Sequence, residues 1–160
     1  MDQQLKTNQI MKNFMQLLTL LLIITSCCEK QNAPEQQNIE QTILTLEKNA
    51  LDRWSNADQI GFSDNFAEDA TLFDFVEAHV RINGIENLKK YFASFQGKVP
   101  IHKYELINPK VQVYGDMAIL SFWWKIEDEI GEPSWKATSV YRLHNDTWKI
   151  VHAHWSEVKE

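Results

Sequence analysis

Tyr114-Gly115-Asp116, followed by Met117-Ala118-Ile119-Leu120-Ser121-Phe122-Trp123-Trp124-Lys125-Ile126-Glu127, is the stretch that decides the fold. Gly115 and Asp116 supply a tight hairpin turn. The residues after it read as one long strand, on which Leu120, Phe122 and Trp124 share one face and Ser121, Trp123 and Lys125 the other. Upstream, residues 101–113 hold a long strand interrupted near Asn108-Pro109. Downstream, Gly131-Glu132-Pro133 turns the chain into a strand over residues 135–143. His144-Asn145-Asp146 then turns it into a last strand over 147–156.

Parity sorts the later strands. Trp135, Ala137, Ser139, Tyr141 and Leu143 form an apolar set that should face the helices, opposed by Lys136, Thr138, Val140 and Arg142. On the last strand, strict alternation puts Val151, Ala153 and Trp155 on one face. Trp148, Ile150, His152 and His154 fall on the other.

The first half is helical in rhythm. Ile39, Ile43, Leu46, Ala50 and Trp54 recur at helical spacing, and this helix should end near Asn56. A short second helix is expected over residues 59–66, strands over 70–76 and 80–82, and a turn at Asn83-Gly84. Ile85, Leu88, Phe92 and Phe95 make the stripe of a third helix, stopped by Gly97 and Pro100. Helices followed by a meander of long antiparallel strands give an α+β class. The expected architecture is a cone-shaped curved antiparallel sheet wrapped around three N-terminal helices, a cystatin-like α+β roll. Its open end suits a small ligand.

The 160 residues suit one domain with appendages, and a net charge of −6 with no basic cluster excludes a nucleic-acid footprint. Six Trp and eight Phe supply core area without disulfides. At the N-terminus, Lys6 and Lys12 precede an apolar run over residues 14–25. The run falls short of the roughly 20 residues a membrane span needs, and a basic start with a short apolar centre reads as an export signal. Met11 offers an alternative start. The run ends in Ile24-Thr25-Ser26-Cys27, which resembles the lipobox of bacterial lipoproteins. That resemblance implies a signal peptide over 1–26, lipidation of Cys27 and anchoring in the cell envelope. Cys28 is not the aspartate tied to inner-membrane retention in enteric bacteria, which favours the outer membrane or the periplasmic face. Cys28, the other cysteine, then has no intramolecular partner. Residues 29–38 read as a polar tether, so the expected organisation is 1–26 signal, 27–38 lipidated cysteine and tether, and 39–160 folded domain.

Three segments carry a family likeness: Glu68-Asp69-Ala70-Thr71-Leu72-Phe73-Asp74; Ile101-His102 with Ile107-Asn108-Pro109 and Gly115-Asp116-Met117-Ala118; and Trp148-Lys149-Ile150-Val151-His152-Ala153-His154-Trp155-Ser156. Their order and spacing resemble the nuclear transport factor 2-like superfamily, which includes ketosteroid isomerase, SnoaL-like cyclases and the association domain of calcium/calmodulin-dependent kinase. The likeness spans about residues 39–156. It implies that Leu120, Phe122 and Trp124 point inward.

The resemblance also implies a site. Trp54, Asp74, Phe92, Trp124, Ser139 and Trp155 would line the pocket of the cone. In the kinase association domain, the positions matching Trp124, Ser139 and Trp155 are arginines that hold an anionic ligand. This chain replaces all three, so that ligand class does not carry over, and a largely apolar small molecule becomes the expected partner. Asp74 matches the general base of ketosteroid isomerase. Ser139 stands where the isomerase needs a protonated aspartate, and near Ala50 there is no phenol, so its oxyanion hole is missing and its reaction is not expected. The alternative for Asp74 is a structural carboxylate bonded to a neighbouring amide or to Arg81. Relatives dimerise through the outer sheet face, which implies a homodimer face of Trp123, Trp148, Ile150, His152 and His154. The His-x-His pair lacks a third ligand by spacing, so neither a metal nor a cofactor is expected.

Overall fold

The computed structural model describes residues 33–76, 80–127 and 135–158. The signal segment, Cys27 and the Gly131-Glu132-Pro133 turn fall outside them. Helix α1 (Ala33–Ser55) leads by way of a 3-10 turn (Gly61–Asn65) into strand β1 (Phe66–Phe73) and the short β2 (Arg81–Asn83). Helix α2 (Ile85–Ala93) follows, then β3 (Tyr104–Tyr114), β4 (Met117–Ile126), β5 (Trp135–His144) and β6 (Thr147–Glu157). The strands form a single sheet in the order β2-β1-β6-β5-β4-β3, antiparallel throughout except where β1 runs parallel to β6. The α+β class is as expected, with two α-helices and one 3-10 turn among the described residues where three helices were expected.

Helix α1 starts at Ala33, inside the stretch the sequence assigns to a tether. Proline suits the first turn of a helix, where its fixed φ helps and its missing N–H is not needed. The Glu and Gln that follow are good helix formers, so the turns required from Ile39 onward extend backwards through them. The inward stripe of α1 is Ile43, Glu47, Ala50, Leu51 and Ser55, all buried. It is rotated slightly from the expected one, with Leu46 and Trp54 at its margins.

Strand β1 begins at Phe66, earlier than the alternation suggested. Its pairing with β6 slips between Phe66↔Ile150 and Thr71↔His152, so a clean two-residue period starts only after the slip. On β4 and β5 the inward sets face one another as expected, in the pairs Leu120↔Ser139, Phe122↔Ala137 and Trp124↔Trp135. The turn into β6 holds Asn145 and Asp146 at φ 47° and 59°, the left-handed conformation that short polar side chains tolerate and a two-residue hairpin needs.

Strand β6 corrects the sequence reading. Val140 pairs with His152 but Tyr141 pairs with Ile150, so Val151 is an extra residue. A bulge of one residue reverses the facing of everything before it. Trp148 and Ile150 therefore point into the core, 8% and 1% exposed, on the same side as Ala153. They cannot belong to an outer face. Periodicity alone has no means of seeing an inserted residue.

Candidate ligand pocket

The inner face of the sheet is closed in its middle by α1 and left hollow at the end where α1 finishes. The hollow measures about 220 Å³. One wall comes from the helical layer. Trp54, at the margin of α1, meets Phe62 and Phe92 edge to face, with ring centres 5.7 and 6.2 Å apart. Phe62 and Phe92 meet each other at 5.1 Å. Three large rings crossing at steep angles fix a rigid wall but cannot fill the corner between them.

The sheet supplies the opposite wall. Trp124 of β4 lies 4.8 Å from Trp135 of β5 and 6.3 Å from Trp155 of β6, centre to centre. Leu51 and Leu72 line the hollow between the walls, while Phe75, Val99, Pro100 and Ile126 complete it. The lining is almost wholly apolar. Asp74 and His102 are its two ionisable members among the described residues.

Asp74 follows the last residue of β1 and accepts a hydrogen bond from the Val76 amide at 3.3 Å, so a local structural role of the kind foreseen is present. Arg81, the other partner foreseen, donates its Nε to Asn83 at 2.8 Å. His102 is held by the end of α1. Its amide donates to the Ser55 carbonyl at 3.1 Å, its Nδ1 lies 2.8 Å from the Pro100 carbonyl, and its Nε2 lies 3.3 Å from Ser55 Oγ. Both ring nitrogens are thus engaged, and the ring face abuts Trp124 at 5.6 Å.

Deeper in the domain is a polar cluster that the sequence reading did not single out. Glu47 is 1% exposed, accepts a short hydrogen bond from the Tyr141 hydroxyl and lies 3.5 Å from Ser139 Oγ. Burial pushes its carboxyl from 4.5 up to about 7, against the two hydroxyls, which favour the ionised form. Burial and the neighbouring Glu47 likewise hold the Tyr141 phenol well above its usual range. A signal was there: Glu47 is four residues beyond Ile43 and seven before Trp54, on the apolar side of the helix. A charged residue on a core stripe calls for a buried partner.

The profile of the family described as calcium/calmodulin dependent protein kinase II association domain matches residues 39–159. The chain belongs to this association-domain family. Among solved structures it is similar to a "putative ketosteroid isomerase" from Parabacteroides distasonis ATCC 8503, at 31% identity and a TM-score of 0.63, covering 84% of this chain and 94% of that one. A nuclear transport factor 2-like protein of unknown function from Pseudomonas putida KT2440 aligns at 22% identity and a TM-score of 0.67, covering 78% and 89%. The kinase II hub of S. rosetta aligns at 22% identity and a TM-score of 0.60, covering 74% and 95%. These last two share the fold. A search among curated proteins found no match.

Within this association-domain fold, Trp54, Asp74, Phe92, Trp124 and Trp155 come together around one hollow. Ser139 does not. It is 1% exposed and turns towards Glu47, because the β5 residues beneath α1 are covered by the helix. No tyrosine lines the hollow among the described residues. The nearest inward phenol on β5, Tyr141, is committed to Glu47. Aromatic pocket residues beyond the expected set are Phe62, Phe75, Trp135 and His102. Trp135 was legible by parity, whereas His102 needed the path of the 97–103 segment across the end of α1. On the outer face, Trp123 is 42% exposed, and Phe73 packs edge-on to His152 and His154.

Proposed function

We propose that this association-domain relative binds a small, largely apolar molecule in the hollow between Trp54, Trp124 and Trp155. The observation that supports this is a hollow of about 220 Å³ walled by aromatic rings on both sides. An apolar cavity of about 150 Å³ is enough to take benzene, so one or two rings suit this one. Such a ligand gains by burying area against surfaces too rigid to collapse. The neutral two-ring fluorophore 1-naphthylamine should bind one to one with a blue shift. Val99→Trp, at the half-buried margin, should block it without touching the core. Equal binding by that variant, shown to be folded by circular dichroism, would count against the pocket.

A second reading is self-association through the outer sheet face. The family assignment favours it, as do the exposed Trp123 and the Phe73–His152–His154 group. Trp123→Glu should lower the mass measured by sedimentation velocity. Burial, His154 and Arg81 hold the His152 pKa below its ordinary value, so any weakening by its protonation belongs to the acid side of neutrality. Acid/base chemistry by Asp74 on an enolisable carbonyl remains the alternative for the pocket itself, and unchanged turnover in Asp74→Asn would end it. The lipobox-like Ile24-Thr25-Ser26-Cys27 supports a lipid anchor that holds the domain at the bacterial cell envelope. Among the described residues no helix is long and apolar enough to cross a membrane. Metabolic labelling with radioactive palmitate should mark the wild type and not Cys27→Ser.

A further inference from the structure

The hollow has a neighbour of opposite character. Between the end of α1 and the start of β3 lies an open polar groove, bordered by Asp52, Ser55, Tyr104 and Glu127. His102 is the one described residue that lines both the hollow and the groove. Its ring meets Trp124, a wall of the hollow, edge to face with centres 5.6 Å apart. Ser55, its partner on the other side, borders the groove.

The ring is held in place at both nitrogens. In a neutral imidazole one nitrogen donates and the other accepts. The Pro100 carbonyl can only accept, so Nδ1 donates to it at 2.8 Å, and Nε2 accepts from the Ser55 hydroxyl at 3.3 Å. The main chain is tied at the same point, because the His102 amide donates to the Ser55 carbonyl at 3.1 Å. Swinging the ring aside would break both side-chain bonds. A hollow of about 220 Å³ takes one or two rings, given that benzene fills a cavity of about 150 Å³. We infer that His102 is the partition between hollow and groove, and so the residue that limits the pocket to ligands of about two fused rings. This inference rests on the pocket reading above and adds the side chain that sets ligand length.

N-phenyl-1-naphthylamine is 1-naphthylamine carrying a third ring. Both probes are titrated into the wild type, His102→Ala and His102→Phe. Alanine leaves a gap against Trp124 that a phenyl group can fill, whereas phenylalanine keeps a ring there. Comparing affinity ratios between proteins cancels the different water solubility of the two probes. The ratio favouring the three-ring probe should rise about tenfold in His102→Ala, the order expected for burying a phenyl group in a ready gap. In His102→Phe it should stay at the wild-type value. In the wild type, saturating 1-naphthylamine should shift the indole resonances of Trp54 and Trp155 and leave the backbone amides of Glu105 and Leu106, in the groove, where they were. That readout stands even if the alanine variant fails to fold.

An unchanged ratio in folded His102→Ala, an equal rise in His102→Phe, or groove amides that shift in the wild type each overturn the partition. The pocket survives those results as long as 1-naphthylamine moves the Trp54 and Trp155 resonances. No binding of 1-naphthylamine to the wild type at millimolar concentration overturns the pocket reading and the partition with it.

Discussion

Two regions of one sheet face solve the problem of buried polarity in opposite ways. Under the middle of α1 the face is packed, and the acid it encloses, Glu47, has Tyr141 and Ser139 beside it. Past the end of α1 the face is hollow, and the donor it encloses, Trp124 Nε1–H, has no acceptor among the described residues. Where α1 crosses the sheet, two elements meet and supply these partners. Past the helix end the walls are mostly aromatic rings, which offer few hydrogen-bonding partners. The contrast separates a polar group paired across two elements from one sealed among rings, a distinction that neither the residue types nor their burial would make alone.

The largest expected effect tests the packed side. Leu120→Ala removes a side chain that is fully buried beneath α1 and should cost about 3–4 kcal/mol in chemical denaturation. Ile126→Ala, at the margin of the hollow, should cost about 1 kcal/mol, because its side chain has fewer neighbours to lose. Equal costs would mean that the hollow is closed in solution.

Next comes the pH dependence of Glu47. Its folded pKa, about 7, lies above the ordinary 4.5, so the folded state holds the proton more tightly. Its contribution is fully present below pH 4.5 and is lost as the pH rises to about 7, a span of about 3 kcal/mol. Glu47→Gln should flatten the stability profile over that window and be more stable than the wild type at pH 8. An unchanged slope would show that Glu47 is ionised and solvated. Tyr141→Phe should cost about 2 kcal/mol at pH 8, where it strips a donor from a buried carboxylate, and less at pH 5. Trp124→Phe should cost the free protein about 1–2 kcal/mol, all of it from the lost packing of the indole's second ring, since its N–H makes no bond to lose.

Much of the fold was legible because β4 and β5 keep a strict two-residue period and α1 and α2 keep helical ones. The hairpin turns carried Gly115-Asp116 and Asn145-Asp146, whose backbone preferences are local. What escaped was non-local. The extra residue at Val151 comes from pairing with β5, and it moved Trp148 and Ile150 from the outer face to the core. The seal over Ser139 depends on where α1 lies across the sheet. Five of the six expected pocket residues meet because four of them, Trp54, Phe92, Trp124 and Trp155, stand near the ends of elements that converge on the same rim. Glu47 was visible as a charge on an apolar stripe, but its partners, ninety-odd residues away, were not.

The six tryptophans allow the most direct test. Trp54, Trp124, Trp135 and Trp155 line the hollow, while Trp123 lies on the outer face and Trp148 in the packed core. Nitrogen-15 spectra of the indole N–H groups should show the first four shifting together on titration with cumene, with Trp123 and Trp148 unmoved. No movement of the four, or movement of Trp123 in their place, would contradict a ligand pocket at this end of the sheet.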